Sequence, residues 1–159
     1  RDAQEWRRPL HRQIPGRGMN VRCHASCVRL GSAGILLTGP SGSGKSDLAL
    51  QLIDRGAMLV ADDQVELSVD DDRLFGACIA GFSGMIEVRS IGIVRLDAVA
   101  EPVHLTHHFE LGEPMERLPA PRSCTFLGIA LPTWRLDAHA PSAALKVALT
   151  IEKGVCPVA

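Results

Sequence analysis

The chain reads as an α/β protein: a mostly β core, in a mixed sheet, that carries a phosphate-binding loop and has helices packed on it. Three observations carry that expectation. The octapeptide Gly39-Pro40-Ser41-Gly42-Ser43-Gly44-Lys45-Ser46 fits G-x-x-x-x-G-K-[ST]. An apolar run at 33–38 enters it, and a helical pattern at 47–55 leaves it, with Leu48, Leu52 and Ile53 on one side and Gly56 after the end. Most of the remainder is short apolar runs broken by Gly, Pro and Asp, which favours many short strands. Strand, glycine loop and helix start belong together physically. Glycines let successive N–H groups turn toward one anion, and the helix N-terminus adds positive partial charge. In such a loop Lys45 would reach the β/γ-phosphates of a nucleotide, and the Ser46 hydroxyl would hold Mg²⁺. A chance Gly/Ser-rich loop is the competing reading, and both matching flanks weigh against it.

The other elements follow in chain order. Residues 1–18 carry five arginines against Asp2 and Glu5, with prolines and glycines and no regular period. They are expected to form a flexible basic arm, and 19–159 the folded domain. A strand at 23–30 turns at Gly31-Ser32 into the strand at 33–38. After the helix, 57–61 reads as a strand ending in Asp62-Asp63. Strands at 65–69 and 74–79 are joined by Asp70-Asp71-Asp72, an acidic turn rather than a cation site. Short strands at 85–90 and 91–96 follow a glycine-rich break. The strand at 103–111 bears His104, His107 and His108. Strict alternation puts His104 and His108 on one face and reads all three as surface residues of an edge strand, not a metal site. A proline-bearing loop spans 112–123, a single apolar strand 124–131, and a closing helix 142–153.

Bulk properties bound the function. A chain of 159 residues suits one domain and can bury about 70 % of its unfolded surface. With 46 % hydrophobic and 22 % charged residues it is globular, and with no tyrosine its core rests on Leu, Ile, Val and Ala. Seventeen basic residues against 18 acidic ones give a net charge of −1, so nothing global calls for nucleic acid. Five cysteines without a CxxC pair suggest free thiols in a reducing cytosol. Cys23 and Cys27 flank His24 but lack the further ligands of a zinc site. No apolar run reaches membrane-spanning length and no signal peptide is visible, so a cytoplasmic protein without membrane contact is expected.

Phosphoryl transfer needs a metal ligand and a group that handles the acceptor's proton. Asp62 and Asp63, ending the strand after the loop helix, are the candidates, with side chains on opposite faces. Of the two, Asp62 is read as the turn cap. Glu87 and Arg89, two apart on a strand, would look into one cleft as a carboxylate for metal and a guanidinium for phosphate. A surface ion pair explains that spacing equally well.

His24, the loop at 39–46, the phrase Leu59-Val60-Ala61-Asp62-Asp63 and the phrase Glu87-Val88-Arg89-Ser90-Ile91-Gly92-Ile93 together resemble the HPr kinase/phosphorylase family. The resemblance runs from about Cys23 to Lys153 and concerns that family's catalytic domain alone. It implies a sheet that is mixed rather than doubly wound, ATP and Mg²⁺ as cofactors, and a serine of the phosphocarrier protein HPr as acceptor. It also implies a reverse, phosphorolytic step with inorganic phosphate and assembly into a homo-oligomer, a hexamer. By position it makes His24, Lys45, Asp63 and Arg117 catalytic, with Asp63 the proton acceptor. Residues 39–46 bind the nucleotide, and Ser46 and Glu87 hold the metal. Two departures stand out. Ser90 occupies a usual glycine position, and the Lys-x-Gly-Arg-Asn phrase tied to dephosphorylation is missing near Asp137-Ala138-His139. The kinase direction is therefore the firmer expectation. Alternatives from other classes are a metabolite kinase, a non-catalytic nucleotide sensor and an arm-dependent nucleic-acid ATPase.

Overall fold

The computed structural model describes residues 20–114 and 116–156. The arm expected at 1–18 lies outside them. β1 (Val21–Leu30) turns back into β2 (Ala33–Thr38) through Gly31, and β2 is buried at every position. α1 (Lys45–Asp54) and β3 (Met58–Ala61) follow. β4 (Gln64–Asp70) and β5 (Arg73–Cys78) form a hairpin. Asp71 and Asp72, both at positive φ, make its turn, so the acidic triplet is a turn as expected. β6 (Met85–Val88) and β7 (Gly92–Arg95) pair only with each other, and β8 is Val103–Leu111. β9 (Arg122–Phe126), β10 (Ile129–Leu136) and α2 (Ala143–Lys153) complete the order.

One layer runs β3-β1-β2-β8-β10-β9, with β2, β8 and β10 mutually parallel and β1 and β9 antiparallel to their neighbours. The first half of β1 pairs with β4, and β5 returns to the start of β8. Strand pairing thus closes a ring through β1, β2, β8, β5 and β4. Two cores result. Val28, Ile35, Leu37, Phe109 and Leu111 face α1 and α2. Ala25, Cys27, Leu36, Val65, Leu67, Leu74 and Leu105 fill the other side. The fold is the expected mixed α/β sheet with few helices.

Three local expectations are corrected. The strand expected at 124–131 is two strands, because Leu127 and Gly128 take positive φ and reverse the chain. The 103–111 strand is central, not an edge. Gly34 pairs with Leu105 and Ile35 with His107, so Thr106 is an extra residue that flips the alternation. His104 and His108 therefore lie on opposite faces, and His108 is fully buried, hydrogen-bonded with Thr38 and Thr133. Arg89 lies past the end of β6, in a turn closed by the Ile91 N–H on the Val88 carbonyl. Glu87 and Arg89 therefore do not share a strand face. Ser90 sits in that turn at φ 68°, a conformation glycine adopts freely.

Candidate active site

The carboxyl ends of β2, β3, β8 and β10 open onto one edge of the sheet, the usual place for a site in such folds. β2 delivers the glycine loop there. Gly39, Gly42 and Gly44 all take positive φ. A Cβ on Gly39 would stand 2.6 Å from Ser43 Oγ, and one on Gly44 would stand 3.1 Å from the Ala138 Cβ. Only glycine fits both constraints. The Ser43 N–H donates to the Pro40 carbonyl at 3.0 Å, closing a turn. His139 Nε2 meets the Gly42 carbonyl at 3.2 Å from the far side. α1 starts at once with no side chain capping its N-terminus, so its first amides open into the loop. Ser43 Oγ is buried there without a hydrogen-bond partner.

Lys45 folds back over the loop. Its Nζ donates to the Gly39 carbonyl at 2.8 Å and to the Pro40 carbonyl at 3.0 Å. Burial pushes its ammonium below the usual range, and the charges of Asp63 and Asp62 pull it back.

Asp62 and Asp63 split their roles, though not as the spacing suggested. β1 intervenes between β2 and β3, and Asp62 reaches across it. Its Oδ1 accepts from Ser46 Oγ at 2.7 Å and from Ser26 Oγ at 2.8 Å, and its Oδ2 accepts from the Glu87 N–H at 3.1 Å. Asp62 is therefore the carboxylate wired to the loop, not merely a turn cap. Asp63 stands at φ 66°, with the Gln64 N–H bonded to the Asp62 carbonyl across it. Such a conformation is strained for a residue with a side chain. It turns the Asp63 carboxylate outward, 71 % exposed, to within 3.5 Å of His24 Nδ1.

Glu87 is fixed through its backbone. Ile86 is buried against α1, so alternation leaves the exposed Glu87 on the Asp62 side. The structure thus brings together Lys45, Ser46, Asp62 and Glu87, with the His24–Asp63 pair on the adjoining turn. Arg117 is exposed in the loop after β8 and makes no hydrogen bond or ion pair with them. The base of that loop is stapled by the buried Glu110, which accepts from Arg122 at 2.8 Å and Arg135 at 3.3 Å. Sequence reasoning missed Ser26 and His139, and discounted Asp62. A lone serine inside an apolar strand has no signature, whereas Asp62 was visible as half of an acidic pair.

The donor set suits a small hard cation: a hydroxyl and carboxylates, with no sulfur. Among the described residues no group of three or more Asp, Glu, His or Cys forms a metal cage. The Ser46 hydroxyl beside the Asp62 carboxylate is the kind of donor pair that magnesium takes from a protein, the rest of its shell being phosphate oxygens and water.

Fold and loop define a glycine-loop α/β protein with a mixed sheet. The profile of the family described as HPr Serine kinase C-terminal domain matches residues 18–111, and the chain belongs to that family. It is 48 % identical over 74 residues to the HPr kinase/phosphorylase of Clostridium tetani (strain Massachusetts / E88), covering 46 % of this chain and 24 % of that one. The HPr kinase/phosphorylase of Clostridium botulinum (strain Eklund 17B / Type B) is 42 % identical over 98 residues, 57 % of this chain and 32 % of that one. The solved Hpr(Ser) kinase/phosphatase from Coxiella burnetii superposes with a TM-score of 0.69 at 30 % identity, covering 82 % of this chain and 87 % of that one. The chain spans about a quarter to a third of the length of the curated relatives it matches. Among the described residues no helix is long and apolar enough to cross a membrane.

Proposed function

We propose that this chain is the catalytic domain of an ATP- and Mg²⁺-dependent protein-serine kinase whose acceptor is a serine of HPr. The observation that carries the reading is the Ser46–Asp62 contact at the uncapped start of α1, with Asp63 turned outward on the next residue. Loop amides and Lys45 cradle the nucleotide phosphates, Lys45 exchanging its two loop carbonyls for phosphate oxygens. Ser46, Asp62 and Glu87 are the residues that would hold magnesium, which offsets charge on the transferring group. Asp63, exposed and beside His24, accepts the proton as the seryl oxygen attacks the γ-phosphorus and the β–γ bridging oxygen leaves with ADP. General-base help of this kind is worth about 10²–10⁴ in rate, and positioning supplies the rest. In the reverse direction inorganic phosphate attacks the phosphoseryl phosphorus. Pyrophosphate forms and Asp63 returns its proton to the serine oxygen. His24 and Arg117 would complete the pocket.

The reading extends to a cytoplasmic homo-oligomer, a hexamer in the manner of the resemblance, which light scattering tests. The central experiment is incubation with Mg-ATP and HPr followed by phosphosite mapping. One phosphoserine is expected on HPr, and none with Lys45→Ala, whose melting curve stays cooperative. Phosphate transfer by Lys45→Ala near the unmodified rate would refute the assignment. Transfer to sugars or nucleosides without HPr would replace it with a metabolite kinase.

A further inference from the structure

Ser26 is completely buried in β1, between Ala25, Cys27 and Val28, which are as buried as it is. A hydroxyl in such surroundings costs free energy unless it is bonded, and an apolar side chain would fit more cheaply. Its one hydrogen bond goes to Asp62 Oδ1, the oxygen that also takes Ser46 Oγ. β1 lies between the strand that feeds the glycine loop and the strand that ends at Asp62. Ser26 pairs with Leu37 of β2, and the next residue, Cys27, pairs with Ala61 of β3. Ser26 is therefore the bolt between the two halves of the site.

A serine hydroxyl has one proton and two lone pairs. While Asp62 takes the Ser46 proton, both Ser46 lone pairs stay free for a cation. That requires the carboxylate to stay in one rotamer, with Oδ1 toward Ser46 and Oδ2 toward the Glu87 amide. Without the Ser26 donor, Oδ1 keeps only the rotatable Ser46 hydroxyl and Oδ2 the Glu87 amide, so the carboxylate is less firmly held in that rotamer.

We propose that Ser26 is a positioning residue for the divalent cation: it orients Asp62 so that Ser46 and the nucleotide can take up Mg²⁺. This rests on the nucleotide-binding reading above. The test is binding of the fluorescent analogue mant-ATP, with and without Mg²⁺, to the full chain and three variants. In the unmodified protein Mg²⁺ should raise affinity. Ser26→Ala should lose about tenfold of that gain and keep the Mg²⁺-free affinity, with a metal-free melting temperature close to the parent's. Asp62→Asn should lose the gain too, and adding Ser26→Ala to it should cost nothing further. If the unmodified protein does not bind mant-ATP, the nucleotide reading falls and this one with it; if it binds with no response to Mg²⁺, the magnesium part of that reading falls and this one with it. If Mg²⁺ matters but Ser26→Ala matches the parent, or costs the same factor on top of Asp62→Asn, the role of Ser26 alone is overturned.

Discussion

His108 bridges three strands of the central sheet, meeting Thr38 at 2.6 Å on one side and Thr133 at 2.9 Å on the other. Thr38 is the last residue before the glycine loop, so this buried imidazole braces the loop's base. The ring also meets Phe126 edge-on. Burial, helped by the positive charge of Arg122, pushes its pKa down from 6.5 to about 3. The folded chain therefore holds it neutral in mild acid, while the unfolded chain protonates it below about pH 6.5. Between those values the unfolded state binds more protons, so stability falls as pH drops and is restored as pH rises. The slope from this one group is up to about 1.4 kcal/mol per pH unit. Chemical denaturation from pH 4 to 8 checks this. His108→Gln should be less stable at pH 8 but show a shallower loss toward pH 4 than the parent. An unchanged slope would mean that His108 is not the group responsible.

At the scale of elements, β2, the loop and α1 were legible because their pattern is local. Glycines sit where the backbone needs positive φ, and apolar residues repeat at the helical period. Gly44 tests how tight that solution is. Its φ of 92° and the Ala138 Cβ 3.1 Å from any added methyl leave alanine both strained and crowded. Gly44→Ala should cost about 1–2 kcal/mol in thermal denaturation and weaken nucleotide binding at least tenfold, read by mant-ATP titration. Binding at parental strength would show that the loop relaxes without loss. What sequence could not supply is register and the company strands keep. A one-residue bulge at Thr106 carries no compositional mark, yet it moves His108 from an expected surface to the interior. The turn at Leu127 was half hidden: Gly128 marks a break in the apolar run, but leucine rarely adopts φ 50°. The acidic pair was legible as a pair. Its division of labour was not, because that depends on β1 lying between β2 and β3 and on Ser26 within it.

For the whole molecule the decisive feature is that the strands at the centre belong to both cores. In β2, Ile35 and Leu37 face the helices while Leu36, between them, faces the β4–β5 side. β1 and β8 are shared in the same way through Val28 and Cys27, and through Phe109 and Leu105. Damage to either core should therefore loosen strands that the other needs, and the chain should unfold as one unit despite its two layers. Leu48→Ala empties space under α1, and Leu36→Ala empties it on the opposite face; both side chains are fully buried. Each should cost about 2–5 kcal/mol. In a Trp6→Phe background, fluorescence reports Trp134, which stacks on His107 and Phe109 beside the helix-side core. Urea curves followed by that signal and by far-UV circular dichroism should coincide for both variants, shifted to lower midpoints with unchanged slope. Leu36→Ala is the sharper case, because its lesion lies across the sheet from the reporter. If its circular dichroism transition separated from an unshifted Trp134 transition, the ring of strands would be two modules. The glycine loop and Asp62, which both rest on those shared strands, would then no longer be held in one frame.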